Sequence, residues 1–142
     1  MTLEEQLYEF YGLETWHKTR LVKEEFIRYT KHLIEQGNIL TVSDGEPCLG
    51  YCEFWRLNYE QFGRIICGEE FSALHEDVQT GHIAYVANTF IRPDFRKGRV
   101  YMLLRNKFFQ VNRNCTHFVG EARRKSTAPL KVFKASKLKV RG

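Results

Sequence analysis

Four cations, Arg92, Arg96, Lys97 and Arg99, gather around Gly98, and no other part of the chain is better equipped for chemistry. Residues 83–91 ahead of them are rich in β-branched and aromatic side chains, are bounded by Gly81, and read as a strand. Pro93 has no N–H for a ladder bond and ends that strand. From Val100 the apolar period becomes helical, through Leu103, Leu104 and Phe108. The N–H groups of a helix start carry partial positive charge, and a glycine lets a ligand come close to the backbone. A strand, a cationic turn and a helix start together make a cradle for phosphate. The same cations would equally serve as the solvated charges of an ordinary surface loop.

Proton transfer needs a group of a different kind. Histidine is the side chain best suited to accept a proton near neutral pH, which points to His17 and His82. Glu53 and Glu121 are the carboxylates to weigh beside them. His17, next to Trp16 at a helix entry, serves equally well as a packing residue. Glu53 alternates with Cys52 and Phe54 on a strand and is expected to face solvent. Glu121 stands ahead of Arg123, Arg124 and Lys125, where ion pairing is the competing role. The histidines form no metal-binding pattern, and Cys48-x3-Cys52 is not a zinc spacing, so no metal site is expected. The four cysteines read as reduced core thiols.

These groups sit on a chain of 142 residues, expected to form one domain over residues 1–142. No run of 18 apolar residues is present, so no membrane span is expected. The acidic N-terminus lacks an apolar signal region, and the expected location is cytoplasmic. The net charge of +5 conceals an asymmetry. From Arg92 onward there are 15 Lys and Arg against two acids, whereas residues 1–91 hold 7 against 15. A basic half implies an anionic partner: a nucleotide cofactor, nucleic acid, an acidic protein or a lipid head group.

Short apolar patterns predict a helix over residues 3–11 and a longer one over 19–36. In the second, Val22, Phe26, Tyr29 and Leu33 share a face and Gly37 marks the stop. Strands are expected over 39–43 and 48–57, with Asp44-Gly45 as a hairpin turn. The acidic stretch 68–80 reads as a loop or broken helix. A strand over 82–92, a helix over 100–112, a strand over 116–121 and a last helix over 128–134 complete the order. That order is an α/β or α+β sandwich with a mixed sheet.

The segment FIRPDFRKGRVYMLL, residues 90–104, resembles the strand–loop–helix of the GCN5-related N-acetyltransferases, the GNAT superfamily. Ile91-Arg92-Pro93 matches the strand end, Gly98 the first loop glycine, and Leu103-Leu104 the leucine pair. Phe95 replaces a Gln or Arg of the pattern, and Val100 replaces its second small residue, where it is expected to crowd the backbone. The likeness spans roughly residues 38–135. It implies a GNAT-like mixed sheet flanked by helices. It also implies that Arg92, Arg96, Lys97, Gly98, Arg99, Val100 and Tyr101 hold acetyl-CoA or another acyl-CoA. The backbone N–H groups of Phe90 and Ile91 would then polarise the thioester carbonyl. The acceptor would be a primary amine, in one reading a protein lysine.

The family often carries an acid-donating tyrosine on a late helix. Phe133 occupies that place here and cannot donate a proton. A narrower likeness is to the toxin-activating lysine acyltransferases, a divergent branch of the superfamily. It implies His17 as the base and puts Asn88 near an acidic position of that branch. With Glu121, these complete the candidate catalytic set. The alternative function is a degenerate GNAT-like module that binds nucleic acid or an acidic protein through the basic C-terminal half.

Overall fold

The computed structural model describes residues 1–13, 22–74, 77, 79–96, 98–121 and 130–134. Four helices are present among them: α1 (Leu3–Leu13), α2 (Lys23–Glu35), α3 (Tyr59–Ile66) and α4 (Arg99–Val111). Five strands form one sheet in the order β1-β2-β3-β4-β5: Ile39–Ser43, Cys48–Leu57, Ile83–Ile91, His117–Glu121 and Leu130–Lys134. The sheet is mixed, since β4 runs parallel to β3 and antiparallel to β5.

Local chemistry sets the boundaries. α2 opens with Glu24 and Glu25, whose charge suits the N-terminal end of the helix dipole. It closes as the sequence predicts: Gly37 takes a φ of 81° and its N–H bonds to the Ile34 carbonyl, while the Asn38 N–H reaches Leu33. The Asp44-Gly45 turn is present, with Gly45 at a φ of 66° and the Asp44 N–H on the Pro47 carbonyl.

Two assignments differ from the sequence expectation. α3 was not foreseen, because its pattern is short and follows directly on β2. Its signal is a capping box. The Gln61 N–H donates to Asn58 Oδ1 at 2.8 Å, and the Asn58 N–H donates to Gln61 Oε1 at 3.0 Å. The second difference is at the C-terminal end. Residues 130–134 are strand β5, not part of a helix, with Phe133 opposite Phe118 and Leu130 opposite Glu121. Leu130-Lys-Val-Phe-Lys134 is rich in β-formers, and the free edge of β4 offers it a complete ladder.

Contacts gather in two compact units, Met1–Cys52 with Thr89–Phe108 and Glu53–Asn88 with Phe109–Gly142. The first is built on aromatic stacking. Phe10 lies 4.6 Å from Phe90 and 5.9 Å from Tyr51 by ring centroids, in a cluster with Leu7, Phe26 and Cys48. In the second, Phe71 lies between Trp55 and Tyr85, at 5.4 and 4.9 Å. Three of the four cysteines are buried as expected, but Cys67 is exposed at the C-cap of α3.

One glycine of the second unit is fixed by space. A Cβ on Gly81 would stand 1.9 Å from the Leu57 carbonyl carbon and 2.3 Å from the Asn58 nitrogen. Gly81→Ala should therefore cost at least about 3 kcal/mol, at the upper end of ordinary overpacking. Gly63, inside α3 with nothing near its Cβ position, is the control. Gly63→Ala should stabilise by about 0.5–1 kcal/mol. Urea midpoints of the two variants check both signs.

Candidate active site

β3 delivers the chain to the cationic turn, and a tight turn rather than an open loop carries it into α4. After Ile91, residues Pro93–Phe95 form one 3-10 turn. The Phe95 N–H bonds to the Arg92 carbonyl at 2.8 Å, and the Gly98 N–H to the Phe95 carbonyl at 3.2 Å. α4 then starts at Arg99. Its first amides point out along the axis with no acceptor inside the helix. Gly98 is exposed, and the place a Cβ would take is open, with only the Phe95 carbonyl oxygen near it at 3.6 Å. A ligand can therefore approach the backbone here.

The cations divide into two kinds. Arg92 is half-buried; its Nε donates to the Cys48 carbonyl at 2.7 Å, and its guanidinium lies 4.5 Å over the Phe10 ring. Arg96 folds back so that its Nε donates to the Ile91 carbonyl at 3.0 Å, with its guanidinium 5.5 Å over Phe90. Both clamp the end of β3 as well as charging the turn. Arg99 is exposed at the helix start. Lys97 lies outside the described residues.

Val100 does not crowd the turn as expected. It is 5% exposed, and its Cγ1 would stand 2.9 Å from a Cβ on Gly50 of β2. Its side chain therefore fills the space that Gly50 leaves. Tyr101, at 52% exposed, stands on the open surface of α4. Of the leucine pair, Leu104 is buried and Leu103 is exposed.

The β3–β4 ladder runs from Ile83↔His117 to Val86↔Gly120, whereas β3 itself continues to Ile91. The later part of β3 carries Asn88, Phe90 and Ile91. Glu121 ends β4, with its backbone opposite Leu130. His17 lies outside the described residues, as do residues 122–129 and 135–142 of the basic C-terminal half on which an anionic macromolecular partner was expected. His82 is exposed just ahead of β3, and its carbonyl accepts the Thr116 N–H at 2.9 Å. The late helix on which Phe133 was placed is strand β5, so the tyrosine comparison does not hold at that position.

Glu53 is the main departure among the candidates. It is 6% exposed, not solvent-facing. Its Oε2 accepts the Trp55 indole N–H at 2.8 Å, and its Oε1 accepts the Asn88 side-chain amide at 3.3 Å. The sequence did hold the signal. Tyr-Cys-Glu-Phe-Trp, residues 51–55, is nearly continuous in apolar residues, which marks a strand covered on both faces rather than one with a wet side. Burial pushes the Cys48 thiol up, so it stays neutral and packs rather than reacts. Among the described residues no group of three or more His, Cys, Asp or Glu could hold a metal ion. No helix among them is long and apolar enough to cross a membrane.

No protein-family model and no curated protein matches the sequence. Solved structures match it in fold. One is the GphF GNAT-like decarboxylase in complex with isobutyryl-CoA, with a TM-score of 0.63 and 16% identity over 84% of this chain. Another is the loading GNATL domain of CurA from Lyngbya majuscula, at 0.64 and 14% over 88%. A third is the ribosomal-protein-alanine N-acetyltransferase from Brucella melitensis, at 0.59 and 12% over 96%. The match covers 60%, 65% and 74% of those chains, so this chain spans less than two thirds of the first two. The fold is therefore the one that these GNAT-like structures share. It includes the strand–turn–helix at residues 90–104.

The double role of Arg92 has a measurable consequence. A lysine keeps the charge but cannot both donate along the Cys48 carbonyl and stack on Phe10. Arg92→Lys should lower stability by about 1–2 kcal/mol in the absence of any ligand. A turn cation that served only a ligand would leave the unliganded melting curve unchanged.

Proposed function

We propose that the chain is an acyl-CoA-dependent N-acyltransferase, with acetyl-CoA or another acyl-CoA as donor and a primary amine, such as a protein lysine, as acceptor. The observation that carries this is the open face at Gly98. There an unobstructed backbone, the first amides of α4 and exposed cations meet at the end of β3. Phosphate oxygens suit that arrangement, because fixed N–H dipoles bind anions without a reorganisation cost. The inward turn of Val100 supports the same reading by keeping the approach clear. The isobutyryl-CoA bound to the GphF decarboxylase supports a CoA thioester as the donor class on this fold.

In this reading Arg96, Lys97 and Arg99, with the open backbone face at Gly98 and the amides of Arg99, Val100 and Tyr101, hold the pyrophosphate. Arg92 fixes the end of β3 against Cys48 and Phe10. The Phe90 and Ile91 N–H groups polarise the thioester carbonyl, a role for which backbone donors suffice. His17, Glu121 and Asn88 of β3 remain the candidates for the catalytic roles.

Acetyl-CoA at 100 times its Kd should stabilise the protein by about 2.7 kcal/mol in a thermal titration. Gly98→Asp should abolish that shift by setting a carboxylate against the phosphates. Because the Cβ site is open, the unliganded variant should melt close to wild type. A folded Gly98→Asp that binds acetyl-CoA as well as wild type would refute the cradle.

A further inference from the structure

We infer that the outer face of α4 binds single-stranded nucleic acid, with the Tyr101 ring as the platform for a base and Arg99 and Arg105 as its phosphate contacts. All of these residues belong to the first compact unit. α4 buries Val100, Leu104 and Phe108, and two rows of side chains cover its other side. Arg99, Met102 and Asn106 stand at i, i+3 and i+7, and all three are exposed. Beside them Tyr101, exposed, and Arg105, half-buried, stand at i and i+4. Arg105 Nη1 donates to Met102 Sδ at 3.7 Å, which lays the guanidinium across Met102 between the two rows.

The charge on this face has one sign. From Phe95 to Gly120 the sequence holds no Asp or Glu, so no side chain three or four places along α4 can neutralise its cations. A solvated surface helix ordinarily mixes both signs, because like charges on one face repel. A polyanion laid along the face removes that repulsion, and a chain of phosphates is the polyanion that arginine recognises by geometry as well as by charge.

The apolar side chains decide between nucleic acid and an acidic protein. Tyr101, Met102 and Leu103 are all exposed, but they are consecutive and so point about 100° apart around the axis. They form no contiguous apolar patch of the kind that a protein partner buries. A lone ring next to a guanidinium suits a nucleotide instead: any base can stack on the ring while the adjoining phosphate meets the arginine. The strand must be single. In a duplex the faces of the bases are already stacked on one another, and Tyr101 would add nothing.

Fluorescence anisotropy with a labelled oligoadenylate of about twelve nucleotides, read over a range of salt, tests this. The logarithm of the binding constant should fall against that of the salt concentration by about 0.7 for each phosphate neutralised. Arg105→Gln should weaken binding and flatten the slope by about 0.7, and Arg105→Lys should restore the slope. Tyr101→Ala should weaken binding by about 5- to 150-fold and leave the slope unchanged. Tyr101→Phe should bind as wild type does. Melting curves of the Tyr101 variants should match wild type, because the side chain is exposed. A duplex of the same length should bind without regard to Tyr101→Ala. Failure to bind oligoadenylate, or binding that Tyr101→Ala and Arg105→Gln leave untouched, overturns the inference. So does poly-L-glutamate binding with the same dependence on Tyr101, which assigns the face to an acidic protein. Complete displacement of the oligonucleotide by CoA also overturns it, because the ring then serves the cofactor's own nucleotide.

Discussion

The structure turns on the burial of β2. Cys48, Gly50–Trp55 and Leu57 are all buried, with only Leu49 and Arg56 half-buried, so this strand is covered on both faces. Everything polar on such a strand must find a partner, and everything that touches it is constrained. At its first residue the Cys48 carbonyl accepts the Arg92 guanidinium, and the Cys48 N–H donates to Gln6 Oε1 at 2.8 Å. At Gly50 the missing side chain admits Val100. At Glu53 the strand carries a charge that the indole and the amide must hold.

The same constraint accounts for the departure from the GNAT-like loop pattern at position 100. Val100 would obstruct the turn if it pointed outward, but its absence would leave a void above Gly50. The pair Gly50–Val100 exchanges a small residue on the helix for a small residue on the strand. The aromatic ladder Tyr51–Phe10–Phe90, with Arg92 over Phe10, then fixes the end of β3 from the other side chains available. Two of the four turn cations, Arg92 and Arg96, are thereby tied into the fold.

Much of this was legible in the sequence. Gly37 and Asp44-Gly45 name their own conformations, and the change of period at Val100 separates β3 from α4. The strand–turn–helix of residues 90–104 was enough to identify the fold. What was not legible follows a pattern. β5 depends on an edge that only the folded sheet provides, so residues 130–134 read as a helix in isolation. α3 is stated by Asn58 and Gln61 alone, a signal two residues wide. The burial of Glu53 was obscured by alternation: a charge every second residue predicts a wet face only when the other face is the sole covered one. In a doubly covered strand the same charge is enclosed, and the apolar continuity of residues 51–55 was the better guide.

The central claim is that acyl-CoA phosphates meet the backbone at the start of α4. Amide proton–nitrogen correlation spectra of the labelled protein, recorded while CoA is added, test it most directly. The account predicts the largest shifts at Gly98, Arg99, Val100 and Tyr101, with small ones along α4. Shifts confined to other elements, or none at saturating CoA, would contradict it.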